Sequence, residues 1–227
     1  MREHRGLEAL ALAVLGICAP LWLLLSNLYP LATRAFVRYE YSKPSFPVAT
    51  RYSAAERLSL AEATLHYMRS DEDTEHLVAL ESQGRPVYNL REIKHLVDAK
   101  RVMRGAFALH AVCGLLCVLA GALLWCRKEG RLRVLRSISV GCLALVAILL
   151  AIGILAYANF GLFFTIFHRL LFEGDSWLFA YSDTLIQLFP VRFWMDATWM
   201  LSLLTVGECM SAAVLAYALS GRLKETQ

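Results

Sequence analysis

Four long stretches of this chain are almost free of charge, and that feature constrains its fold more than any other. Positions 9 to 33, 105 to 126, 137 to 167 and 197 to 221 contain no Lys, Arg or Asp, and Glu208 is the single carboxylate among them. Each stretch exceeds the ~20 residues that carry a helix across a bilayer. In lipid the backbone must satisfy its own hydrogen bonds, so such stretches read as helices. With 58% hydrophobic and only 19% charged residues, the chain lies outside the range of a purely cytosolic enzyme or a disordered segment. Six cysteines and 13 glycines in 227 residues also exclude a disulfide scaffold and a collagen-like repeat. The expected class is a mainly α membrane protein with four transmembrane helices and an extracytoplasmic cap.

Charge sets the expected topology. Arg2, Arg5, Arg127, Lys128, Arg131, Arg133, Arg136, Arg222 and Lys224 stand against Glu3, Glu129 and Glu225, so the two ends and the middle loop carry 9 − 3 = +6. The segments 34 to 104 and 168 to 196 balance at 14 basic and 14 acidic residues. The positive-inside rule then makes both termini and the loop 127–136 cytoplasmic. The predicted organisation is transmembrane helix 7–30, cap 31–103, helix 104–126, basic loop 127–136, helix 137–158, an aromatic outer interfacial segment 159–196, helix 197–220 and a cytoplasmic tail 221–227. The first stretch is expected to be a retained anchor: Ile17 is not the small residue a cleavage site before Cys18 requires, and the apolar run continues well past it.

All six cysteines, Cys18, Cys113, Cys117, Cys126, Cys142 and Cys209, fall in or beside predicted helices, so no disulfide framework holds the cap. Cys113 and Cys117 share a helical face without a second ligand pair, and read as packing residues.

Within the cap, Pro44 and Pro47 disfavour helix, and regular structure is expected to resume only at Ser53. Ser53 to Glu56 is a capping box, with Leu58, Ala61, Leu65 and Met68 following at helical spacing, which predicts a helix over 54–69. A solvated turn is expected over 71–75 and a short strand or helical turn over 76–81. Asn89 to Glu92 is a second capping box, from which a helix is predicted to run unbroken into the second span. Arg91, His95 and Asp98 would share one face of it. The third stretch, 31 uncharged residues from Ser137 to Phe167, exceeds one crossing, so a second element must follow the span. Positions 157 to 199 hold 13 of the 25 aromatic residues. They fit an aromatic belt or a water-poor aromatic chamber.

Of the six histidines, His4, His66, His76, His95, His110 and His168, only His95 and His168 are expected at the outer interface, although 73 positions separate them. Two imidazoles at one boundary suit acyl transfer, one accepting a proton and the other assisting the departing oxygen; the plainer alternative is a hydrogen bond at each helix end. A mixed metal site from His95, Asp98, His168, Glu173 and Asp175 is the rival use, but no HExxH or paired CxxC is present, so neither metal nor cofactor is expected. Glu208, an ionisable group at membrane depth, reads either as a functional residue or as a packing one, protonated or paired with His110 or a Ser hydroxyl. No serine elbow, Walker loop or dinucleotide fingerprint appears, and the balanced cap charge argues against nucleic-acid binding.

Two stretches carry a resemblance. Tyr88-Asn-Leu-Arg91-Glu92-Ile-Lys-His95-Leu-Val-Asp98-Ala-Lys100, and Phe164-Thr-Ile-Phe167-His168-Arg-Leu-Leu-Phe172-Glu-Gly174-Asp175-Ser-Trp177 continuing through Asp183 to Leu188-Phe189-Pro190, resemble the bacterial lipoprotein intramolecular transacylase family. Leu96 and Ala99 stand where the family pattern has Met and Val. The resemblance implies four membrane helices under an extracellular cap. It implies transfer of the sn-2 acyl chain of a diacylglyceryl group to the α-amino group of a lipoprotein's N-terminal cysteine, leaving a lyso lipoprotein. Diacylated lipoproteins and membrane lipids would be the partners, His95 and His168 the catalytic pair, and Arg91, Asp98, Asp175, Trp177 and Asp183 the supporting residues. The competing readings are a noncatalytic four-helix membrane protein whose cap binds a lipid or partner, and a hydrolase in which the same pair admits water.

Overall fold

A computed structural model describes residues 2–125 and 128–225. Cys126 and Arg127, and the side chains of Arg2, Glu3, His4, Lys128, Lys224 and Glu225, lie outside the described residues. The element order is α1 (Arg2–Ser26), α2 (Leu28–Leu31), α3 (Arg34–Ser42), α4 (Ala54–Arg69), α5 (Glu75–Val78), a two-stranded antiparallel hairpin of β1 (Glu81–Ser82) and β2 (Arg85–Pro86), α6 (Leu90–Trp125), α7 (Lys128–Ala158), α8 (Phe160–Leu171), α9 (Thr184–Leu188) and α10 (Val191–Glu225). Four helical stretches, Arg5–Leu31, Leu90–Trp125, Glu129–Ala158 and Val191–Leu223, are long and apolar enough to cross a membrane.

The chain forms two compact units. The first comprises residues up to Asn27, Ala106–Ile154 and from Leu201 onward. Its helices pack through small residues, which bring backbones close where no hydrophobic force against lipid operates. A Cβ on Gly141 would fall on the Gly16 carbonyl oxygen, so α1 and α7 touch at a point only glycine permits. One turn away the Ser137 hydroxyl donates to the Leu12 carbonyl at 2.6 Å. Ala11, Leu15, Ala120, Leu124 and Val134 form one cluster, and Cys142, Leu145, Leu149 and Cys209 another. Val118, Leu119, Ile154 and Leu203 face outward, as lipid-facing positions do. Asn27 donates to Glu208 at 2.7 Å and to Thr205 at 3.2 Å. Glu208 thus takes an amide partner 181 positions away, whereas His110 stacks on Trp22 with centroids 5.3 Å apart.

The second unit comprises Leu28–Gly105 and Leu155–Met200. Its centre is α4, capped by Ser53, whose hydroxyl accepts from the Glu56 amide at 3.3 Å. Leu60 and Tyr67 on α4 join Tyr52, Leu77, Tyr88, Leu96, Leu185 and Leu188, while Ala61 joins Phe36, Val37, Phe46 and Phe193. Buried polar groups are tied across these clusters: Tyr52 and Thr184 share a hydroxyl bond at 2.9 Å, Thr184 donates to the Val87 carbonyl, and Thr64 bonds Tyr88. Two expectations are corrected. The stretch before Ser53 is not irregular throughout: Thr33 caps α3, accepting from the Phe36 amide, and Phe36, Val37 and Glu40 turn inward until Lys43 and Pro44 end the helix. Residues 128–136, expected as a loop, are already the first turns of α7, because no proline interrupts them.

Candidate active site

Asn89 and Glu92 form a complete reciprocal box at the start of α6: the Asn89 side chain accepts from the Glu92 amide at 3.0 Å, and Glu92 accepts from the Asn89 amide at 2.9 Å. The other Glu92 oxygen accepts from the Leu185 amide at 2.8 Å, which fastens the start of α9 to the start of α6. One turn further along α6 lies His95. Seven charged residues, Arg91, Glu92, Lys94, Asp98, Lys100, Arg101 and Arg104, crowd this part of the helix, so it lies outside the membrane-spanning segment that begins after Gly105.

His168 comes from α8. Asn159 breaks the long apolar stretch and starts α8, its side chain accepting from the Leu162 amide at 2.9 Å. Phe160, Phe164 and His168 then recur every four residues on one face. His168 Nδ1 lies 2.8 Å from the Phe164 carbonyl oxygen. A carbonyl cannot donate, so Nδ1 carries the hydrogen and Nε2 the lone pair. After α8 the chain reverses at Gly174, which takes the left-handed conformation with φ 63°. The Trp177 indole donates back to the Gly174 carbonyl at 3.1 Å, which folds its ring against His168 with centroids 5.0 Å apart.

These elements bring the two imidazoles together, stacked at 23° with centroids 6.1 Å apart. Rings surround them: Phe172 lies 4.8 Å from His95 and 5.4 Å from His168, Phe179 meets His95 edge-on at 5.4 Å, and Phe164 lies 4.0 Å from His168. Burial pushes His95 down to about 4; the His168 ring lowers it further and Asp98 opposes the shift. Burial also lowers His168, against the bond to Phe164. Both rings are therefore neutral at pH 7 and able to accept a proton.

The remaining sequence-derived candidates divide. Arg91 pairs with Asp183 at 3.0 Å, and its guanidinium lies 5.3 Å from the Phe179 ring. Asp98 pairs with Arg101 at 2.8 Å on its own helix. Trp177 packs on His168, whereas Asp175 is exposed and contributes its carbonyl to a turn, accepting from Leu178 at 3.1 Å. Among the described residues no group of three or more His, Cys, Asp or Glu is arranged to hold a metal ion. Cavities of about 510 and 540 Å³ lie elsewhere in this unit, beside Arg57 and Arg51; among its rings His168 is buried and His95 half-buried. Sequence reasoning missed Phe179; the density of aromatics over 157–199 was the available signal, and nothing in it singles out this ring.

The family model of the lipoprotein intramolecular transacylases (Lit) matches residues 13–194, which include both histidines and every ring around them. The chain belongs to the Lit family. It is thus a multi-pass membrane acyltransferase of lipoprotein maturation. An uncharacterised protein of Aquifex aeolicus strain VF5 is 34% identical over 176 residues, covering 75% of this chain and 76% of the relative. In fold the chain is similar to the membrane integral Lit of Bacillus cereus, with a TM-score of 0.63 at 21% identity over 97% of both chains. Two further structures of that Bacillus cereus protein, with one histidine replaced by arginine or by alanine, give TM-scores of 0.61 and 0.59 at 18% and 20% identity. They cover 99% of this chain and 95% and 97% of theirs.

Proposed function

We propose that His95 and His168 are the catalytic pair of an O-to-N acyl transfer within one diacylated lipoprotein. The sn-2 acyl chain moves from the glyceryl oxygen to the α-amino group of the N-terminal cysteine and leaves the lyso form. The observation that carries this reading is the stacked, un-ionised imidazole pair within a wall of aromatic rings. Charge asymmetry supports a cytoplasmic location for both termini and the opposite side of the membrane for the second unit.

An ester is an adequate electrophile for a neutral amine, so the main barrier is bringing two ends of one flexible headgroup together. Orientation supplies several of the ~7–11 kcal/mol available from such placement. The ring wall excludes water that would otherwise hydrolyse the ester. His168 Nε2, its lone pair directed by the Nδ1 bond, takes the proton as the amine nitrogen bonds to the acyl carbon. His95 stays neutral at working pH and serves as hydrogen-bond donor to the carbonyl oxygen as it becomes anionic. When the carbon–glyceryl oxygen bond breaks, the His168 imidazolium returns its proton to that oxygen. One N–C bond forms, one C–O bond breaks, and the proton passes from nitrogen to oxygen with no external reagent.

The test is expression in a bacterium lacking other N-acylation, followed by mass spectrometry of the N-terminal lipopeptide of an abundant lipoprotein. Transfer keeps total mass and places one chain on nitrogen. Loss of an acyl mass would replace this reading with hydrolysis, and an unchanged diacyl form would replace it with a binding role. His168→Ala is expected to lower the rate by about 100-fold or more.

A further inference from the structure

The two imidazoles are held differently. His168 has a hydrogen bond from Nδ1 to the Phe164 carbonyl. His95 Nδ1 is buried and has no hydrogen-bond partner among the described residues. A catalytic ring normally owes its orientation to a bond from its second nitrogen, so His95 must owe its orientation to packing. The rings that touch it are Phe172, Phe179 and His168 itself.

Phe179 is fixed by an arrangement that forgoes a local gain. Asp183 occupies the N-cap position of α9 with extended backbone, yet its carboxylate makes no cap bond. An N-cap bond ordinarily stabilises the start of a helix. Asp183 instead accepts from the Ala180 amide at 2.8 Å and from Arg91 at 3.0 Å. Its own amide donates to the Ala180 carbonyl at 2.9 Å, closing a turn directly after Phe179. Arg91 and His95 are one turn apart on the same face of α6. Phe179 lies 5.3 Å from the Arg91 guanidinium and 5.4 Å, edge-on, from the His95 ring, and so contacts both ends of that turn.

We propose that Phe179, clamped by the Arg91–Asp183 pair, is the positioning residue that sets the His95 ring beside His168. The inference rests on the catalytic reading of the dyad. Asp183 and Arg91 act through Phe179, and none of the three touches the reacting atoms. Phe179 also keeps water from His95, whose ionisable surroundings are His168 from α8, Asp98 with its partner Arg101 on α6, and the Arg91–Asp183 pair beyond the ring.

The test compares Phe179→Ala, Phe179→Tyr and Asp183→Asn in full-length protein. Transacylation is measured across pH, and the His95 titration is followed by NMR in detergent micelles, a readout that needs no activity. Phe179→Ala is expected to lower kcat at least tenfold with KM changed less than threefold, and to move the His95 titration up toward 6.5, its ordinary value. Asp183→Asn is expected to shift both in the same directions by less, and Phe179→Tyr to restore them. A wild-type His95 titration and kcat in Phe179→Ala would overturn the proposal. An inactive wild-type enzyme whose His95 titration still moves in Phe179→Ala would retain the positioning role while removing the catalytic reading.

Discussion

His95 and His168 are neutral for the same reason, burial, and a proton on one opposes a proton on the other. The substrate adds a third titrating group, an α-amine of pKa ~8, which must be neutral to attack. The rate is therefore expected to fall with a slope of one in log units below about pH 8, from the amine alone. It should steepen only at the depressed histidine values, below the ordinary 6.5. A pH series of initial rates checks this, and a second inflection at or above 6.5 would contradict the lowered titration of both rings. Stability follows the same sign. His95 titrates at 6.5 when unfolded and at about 4 when folded, so the unfolded state binds the proton first. Its contribution is complete above 6.5 and is lost as pH falls toward about 4, which thermal melts across that window are expected to record. His95→Phe should flatten this part of the profile.

At the scale of the element, the parts legible in the sequence are those whose signals are local. Ser53 and Asn89 start α4 and α6 where their capping boxes place them, and Asn159 divides the third apolar stretch at the length limit of one crossing. Helix α3 was not legible: Arg34, Arg38, Glu40 and Lys43 read as a polar linker, and only the bond from Lys43 to Asp196, 153 positions away, at 2.9 Å shows why Glu40 lies buried. The pairing of His95 with His168 was an expectation from position and resemblance, because 73 intervening residues leave no spacing rule to apply. The second duty of Glu92 was equally hidden, since its bond to Leu185 spans 93 positions. Glu92→Ala leaves the buried Leu185 amide without an acceptor, at ~1–3 kcal/mol, and removes the cap bond from the Asn89 amide at the more exposed start of α6. The expected outcome is a lower melting temperature and faster backbone hydrogen exchange at the start of α9. Glu92→Gln, which keeps an acceptor for one amide, should recover part of the loss.

For the whole molecule, the charge asymmetry of +6 against balanced segments 34–104 and 168–196 implies one orientation in the bilayer. Arg131, Arg133 and Arg136 carry much of that bias in one short stretch, and Arg133 also pairs with Glu8 at 3.1 Å within the first unit. The cysteines make orientation measurable: Cys18, Cys113, Cys142 and Cys209 are buried and Cys117 half-buried within helices of the first unit, so they give little background to a polar thiol reagent. In a Cys126→Ser background, Ser45→Cys places a thiol at an exposed position of the second unit, and Glu129→Cys places one near the start of α7, where the side chain is 85% exposed. A membrane-impermeant maleimide applied to intact cells is expected to label the Ser45→Cys protein at once and the Glu129→Cys protein only after permeabilisation. Replacing Arg131, Arg133 and Arg136 together with Gln weakens the bias and should produce a mixed population labelled at both positions. Labelling of Glu129→Cys alone in intact cells would invert the topology, put the histidine pair on the cytoplasmic side, and require the acyl donor to be reached from the inner leaflet.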